Sequence, residues 1–183
     1  MPERPLAGFS LPTLHLEFHW FMRRAAVMQE LAWASYALLL NTNICGLAVF
    51  WRGEAVAARG LLGLPAQPAA LTGDKRSIAA AALAALSGTQ LAAASSAWRQ
   101  GALYCPDKAA LAGAGAAAWG CVPEGAESLL VQPLQPLDSA GGAAQGQEHP
   151  GVLLLLSERP RALSAKERAW AAAVAAKLHT ALQ

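Results

Sequence analysis

The chain has 183 residues, enough for one domain with a proper core but cramped for two. Hydrophobic residues make up 55% and charged residues 14%, against about 25% charged in ordinary soluble domains, with alanine supplying much of the excess. Fourteen Lys+Arg against twelve Asp+Glu leave +2, with no basic run interleaved with aromatics. This argues against nucleic acid as a partner, while the thin surface charge favours a protein partner or a nearby membrane.

Residues 1–13 hold three prolines and a glycine and read as a loose lead-in to a single domain over 14–183. From Leu14 to Leu40 the pattern is helical: Leu31, Ala34, Tyr36, Leu38 and Leu39 share a broad apolar face, while Arg23, Arg24, Gln29 and Glu30 fall elsewhere. Residues 31–51 are long enough for a membrane span, but Asn41, Thr42 and Asn43 at the centre would be costly in lipid. The helix therefore ends there, and a strand starts at Ile44. In it Leu47, Val49 and Trp51 alternate with Ala48 and Phe50, so both faces are apolar and the strand is sandwiched between layers. Arg52-Gly53 signals a tight turn, and EAVAARG returns as an antiparallel strand.

Pro65 and Pro68 mark a loop. The stretch KRSIAAAALAAL and the stretch TQLAAASSAWRQ form one interrupted helix or two short ones, parted at Ser87-Gly88. GALYCPD is a short strand stopped by Pro106, and the alanine-rich KAALAGAGAAAWGCVPEGA predicts no single element. ESLLVQPL is a strand, ended by Pro133 or placed at a sheet edge. Residues 136–150, polar and rich in Gly and Pro, predict a mobile surface loop that includes His149. GVLLLLSE is the clearest strand of all, a continuous run buried on both faces.

The closing helix opens with Ser164 and Glu167 in the S-x-x-E spacing of a capping box. Trp170, Val174, Leu178 and Leu182 follow as a stripe, and Lys177 and His179 sit near the C-terminal end, where the helix dipole favours positive charge. The element order predicts an α+β sandwich: a central, mostly antiparallel sheet with N- and C-terminal helices packed together on it. Trp33 and Trp170 are expected as core anchors on those two helices, with Trp51 in the sandwiched strand. An exposed indole at Trp98 or Trp119 would mark an interaction surface.

No constellation of catalytic residues emerges. GAGAAA over residues 113–118 formally matches G-x-G-x-x-A, but no strand leads into it, so composition explains the match. The acids Glu54, Asp74, Asp107 and Glu158 are scattered and form no tuned pair. Cys45, Cys105 and Cys121 are odd in number and lack C-x-x-C spacing, which reads as small buried hydrophobes in a reducing compartment. His15 and His19 lie four apart beside Phe18, Trp20 and Phe21, so on a helix both imidazoles share a face and are candidates for contact with haem iron. Two ligands fall short of a closed metal site, and the plainer reading is the wet edge of an amphipathic helix.

Four segments together resemble one family: QELAWASYALLLNTNICGLAVFWRGEAVAARG, GALYCPD, ESLLVQPL and GVLLLLSERPRALSAKERAWAAAVAAKL. They look like the soluble region of the cofactor assembly of complex C proteins, over about residues 29–182. The resemblance implies a GAF-like sandwich and a non-enzymatic assembly factor for covalent haem attachment to cytochrome b6. It further implies a heterodimer with a related protein of the same family, contact with the cytochrome b6 apoprotein, and a place on the stromal side of the chloroplast thylakoid membrane. No cofactor would be stably bound, with haem at most a transient cargo. Two membrane-spanning helices precede the soluble domain in that family, and nothing before Leu14 is apolar enough to be one. An assembly factor predicts an exposed apolar patch; the alternative, a GAF-like small-molecule sensor, predicts an enclosed cavity with convergent polar groups.

Overall fold

The computed structural model describes residues 25–64, 74–136 and 149–183. The lead-in over 1–13, the loop around Pro65 and Pro68, and most of the loop over 136–150 lie outside them. The described chain runs α1 (Ala25–Asn41), β1 (Gly46–Trp51), β2 (Glu54–Gly60), α2 (Lys75–Ser87), α3 (Gln90–Ser95), β3 (Leu103–Cys105) and α4 (Lys108–Gly113). A 3-10 turn (Ala116–Trp119), β4 (Ser128–Pro133), β5 (Gly151–Ser157) and α5 (Ala165–Leu182) complete it.

The five strands form one antiparallel sheet in the order β2-β1-β5-β4-β3. The β1–β2 hairpin turns on Arg52 (φ 52°) and Gly53 (φ 87°). Two consecutive left-handed residues give the turn whose twist matches the flanking strands. Val56 is the extra residue of a β-bulge, since Val49 pairs with Ala57 and Phe50 with Ala55.

Alternation along the central strands splits the core into two layers. Leu47, Val49 and Trp51 of β1, with Leu153 and Leu155 of β5, face α1 and α5. Ala48, Phe50, Val152, Leu154 and Leu156 face α2, α3 and α4. Both strands are buried along their whole length, as a sheet covered by helices on both sides requires. The α+β sandwich with α1 and α5 side by side is thus the observed architecture.

Local chemistry ends each element. Asp74, Thr89 and Asp107 accept backbone N–H bonds from Ser77, Ala92 and Ala110 and so cap α2, α3 and α4. Ser164 accepts from the Glu167 backbone N–H while the Glu167 carboxylate accepts from the Ser164 N–H at 2.7 Å, completing the expected capping box.

Several positions depart from the expectation. Trp33 is 46% exposed and anchors no core. Tyr36 likewise turns outward, because α1 approaches the sheet through Leu31, Leu38 and the small Ala34 and Ser35, on the opposite side of the helix. Trp170 is half-buried, packed against the core rather than wedged within it. The first turns of α5 lie above β3, where the Arg168 guanidinium sits 4.4 Å over the Tyr104 ring, and a three-residue strand leaves part of the indole uncovered. Pro133 ends a strand but not at a sheet edge, since β4 lies between β5 and β3. The registers show why it fits: β3 reaches only Val131, so the missing N–H faces no strand partner. Finally, His149 is not part of a surface loop; its N–H bonds the Trp98 carbonyl at 2.9 Å in a β-bridge, and its side chain is buried.

Candidate functional site

Within its 17 residues α1 carries a single charge, Glu30. A helix of alanine, leucine and aromatic residues forms readily, but nothing in its charge pattern dictates which face meets the core. Packing selects Val27, Leu31, Ala34, Ser35 and Leu38. Trp33, Tyr36 and Leu40 stay outside, with exposures of 46%, 57% and 63%. At about 100° per residue these three fall within an arc of about 60°, roughly opposite the buried face. They are the exposed large hydrophobic residues among those described. Together they present roughly 300–400 Å² of apolar surface, the size of patch that is often functional.

Neighbouring elements place cations on the rings of this ridge. Lys177 of α5 holds its Nζ 4.2 Å from the Trp33 ring centroid and 2.7 Å from Glu30 Oε2. Arg59 of β2 lies 5.8 Å over the Tyr36 ring while its Nη1 donates to Ser35 Oγ at 3.3 Å. The outer surface of the α1–α5 layer is therefore an apolar ridge with a cation over each of its two rings.

A second unusual cluster lies at the far end of β1. The Trp51 indole, 4% exposed, meets His179 of α5 edge-on with ring centroids 5.7 Å apart. His149 and His179 are each 7% exposed. Burial lowers both imidazole pKa values, and for His149 the neighbouring His179 adds to the effect. Trp51 Nε1, His179 Nδ1 and Gln135 Oε1 are buried without a hydrogen-bond partner. Gly151 faces this cluster closely enough that an added Cβ would run into the Phe50 carbonyl oxygen and press on the indole, so only glycine fits there.

Other reactive groups are poorly placed for chemistry. Burial pushes the Cys121 thiol up to about 12 and raises Cys105, and burial with the nearby Glu158 raises Cys45, so none tends toward the nucleophilic thiolate. An open cavity of about 270 Å³ is lined by Asn43, Ile44, Cys45, Ser157, Glu158 and Arg159. Its strand-end hydroxyl is already engaged, since Ser157 donates to the Asn43 carbonyl at 2.7 Å. Among the described residues no group of three or more His, Cys, Asp or Glu side chains could hold a metal ion. The glycines of GAGAAA fall at the end of α4 and in the left-handed residue before the 3-10 turn, with no strand leading in.

Of the residues singled out in the sequence, His15 and His19 lie outside the described residues. Trp51, Val174 and Leu178 are buried in the α1–α5 layer, and Ser164 and Glu167 form the helix cap. The sequence reading missed Tyr36 and Leu40 as surface residues. The signal that could have found them is the near absence of charge over 25–41, since α1 lacks the polar face that an ordinary outer helix turns to water. Among the described residues, no helix is long and apolar enough to cross a membrane.

Residues 18–178 match the family described as cofactor assembly of complex C, CCB2/CCB4. Over 155 residues the chain is 31% identical to the chloroplastic cofactor assembly of complex C protein CCB2 of Arabidopsis thaliana. That alignment covers 83% of this chain and 48% of the relative, so the chain spans about half the length of the curated relative it matches. Among solved structures, the GAF domain region of a protein from Geobacter sulfurreducens PCA aligns with a TM-score of 0.46 at 12% identity, covering 86% of this chain and 98% of that one.

Proposed function

The chain belongs to the CCB2/CCB4 family of cofactor assembly of complex C, and from that premise we propose that it is a non-enzymatic assembly factor acting in covalent haem attachment to cytochrome b6. It works in the chloroplast, on the stromal side of the thylakoid membrane, as a heterodimer with a related family member, and the pair engages the cytochrome b6 apoprotein. Haem is at most a transient cargo, and His15 and His19, ahead of α1, are the histidines that would meet it.

The observation that carries this reading is the ridge of Trp33, Tyr36 and Leu40 on a helix with one charge. A docking surface needs uncovered apolar area on a rigid element, and α1 supplies it on a fully packed sheet. The thiols, buried and shifted away from the thiolate, support a role in holding rather than reacting. The sensor alternative finds less support, since the cavity beside Cys45 is open and below the roughly 300 Å³ at which small-molecule sites begin.

Co-purification from photosynthetic membranes tests the proposal. The wild-type chain is expected to bring down a related family member and the cytochrome b6 precursor, and the Trp33→Ala/Tyr36→Ala variant to lose both while remaining folded. Absence of both partners from the wild-type sample, or their full retention by the variant, would refute it.

A further inference from the structure

We infer that the occupant of the α1 ridge is one amphipathic helix of another protein, with its apolar stripe flanked by carboxylates, and not a second copy of this chain. The inference rests on the docking reading above and adds the chemistry of the partner.

Shape comes first. Trp33, Tyr36 and Leu40 run about 10 Å along the axis within an arc of about 60°, which is a single ridge of the kind that seats against the groove of one facing helix. Size comes second. Roughly 300–400 Å² lies below the approximately 800 Å² per partner that a stable dimer buries, whereas recognition of a helix through a few anchor residues needs less.

Charge selects among the helices that would fit. Across α1 and α5 the cations are Lys166, Arg168 and Lys177 and the carboxylates are Glu30 and Glu167. Both carboxylates are engaged, Glu30 by Lys177 and Glu167 by Ser164. A second copy would bring the same surplus of cations against Lys177 and Arg59 and offer no uncommitted carboxylate from this layer in return. A lipid surface fits less well, because Lys177 and Arg59 lie over the ring faces themselves. Deep insertion would carry two cations toward the acyl region, whereas a docked helix leaves them at its rim with carboxylates to meet them.

Two synthetic helical peptides with the same leucine stripe, one flanked by Glu and one by Lys, test the inference by fluorescence anisotropy against the wild-type chain. The Glu-flanked peptide is expected to bind at least tenfold more tightly than the Lys-flanked one. Trp33→Ala should weaken it at least tenfold, and Lys177→Gln should narrow the difference between the peptides. Sedimentation of the chain alone should give a monomer, and vesicles of phosphatidylcholine with phosphatidylglycerol should not retain it through the ridge. Equal binding of the two peptides, binding of neither, no loss in Trp33→Ala, or Trp33-dependent dimers or vesicle binding would each overturn the inference. If the peptides fail while the wild-type chain still co-purifies with its partners and the double variant does not, only the acid-flanked helix is lost and the assembly role stands. If co-purification also fails, both fall.

Discussion

Replacing Trp51 by phenylalanine and by alanine separates two opposing effects at the buried end of β1. The indole is 4% exposed, and complete truncation to alanine should cost about 3–5 kcal/mol through lost burial and the cavity left behind. Phenylalanine keeps a six-membered ring and removes about three heavy atoms, a loss of about 2 kcal/mol at about 0.8 kcal/mol per buried methylene-sized group. It also removes Nε1, which is buried without a hydrogen-bond partner and therefore costs about 1–3 kcal/mol in the folded state. The two effects nearly cancel, so Trp51→Phe should fall within about 1 kcal/mol of wild type. With urea m-values of about 1–3 kcal/mol/M, the alanine variant loses on the order of 2 M in its unfolding midpoint and the phenylalanine variant less than about 0.5 M. Far-UV circular dichroism is the appropriate readout, since both variants remove a tryptophan. If phenylalanine costs nearly as much as alanine, Nε1 is satisfied and the accounting of this cluster is wrong.

Ser164→Ala should destabilise the fold by about 1 kcal/mol, because the first turn of α5 loses its cap, and an unchanged melting temperature would contradict the role of the box. Hydrogen bonds from the Ser164 hydroxyl and backbone hold the Glu167 carboxyl below its usual range. Its stabilisation is therefore full above the ordinary carboxylate pKa and is lost as pH falls through the lowered folded value, so Ser164→Ala should also flatten the acid limb of a stability profile. His149 and His179 act in a higher window. Burial lowers both folded pKa values, so the unfolded chain takes up protons first and stability falls as pH drops from about 6.5 through the folded values. His149→Gln/His179→Gln should reduce that slope, measured by urea unfolding at stepped pH, and identical slopes would show that neither imidazole is responsible.

The sheet was legible because its strands carry unambiguous signals. GVLLLLS is apolar on both faces, GLAVFW alternates two apolar sets, and Arg52-Gly53 supplies the turn between β1 and β2. The burial pattern of β1 and the boundary at Asn41–Asn43 followed from residue type alone. The orientation of α1 did not. Its Leu31–Leu38 and Trp33–Leu40 rows are equally apolar, so hydrophobic periodicity cannot choose between them, and the choice falls to whichever row lets the backbone approach the sheet. Ala34 and Ser35 allow that approach, whereas Trp33 would hold the helix away. His149 was misplaced for a different reason. Composition correctly marks the stretch before it as polar and rich in glycine, but the chain is pinned by a backbone bond to Trp98 that only tertiary structure reveals.

An exposed Trp–Tyr–Leu ridge on a chain with so little charge invites aggregation, and the cations offer a physical reason why it can be tolerated. Lys177 and Arg59 lie over the ring faces, where each contact is worth about 0.5–1 kcal/mol at an exposed site. A partner must displace or rearrange them, which sets a threshold of about 1–2 kcal/mol before apolar burial contributes. A partner carrying carboxylates recovers that energy by pairing with the same cations, while an uncharged apolar surface does not. The rings are therefore shielded against indiscriminate contact yet available to one class of partner. A small ridge also limits the affinity that docking can reach, which on the assembly reading lets the partner be released once its cofactor is in place.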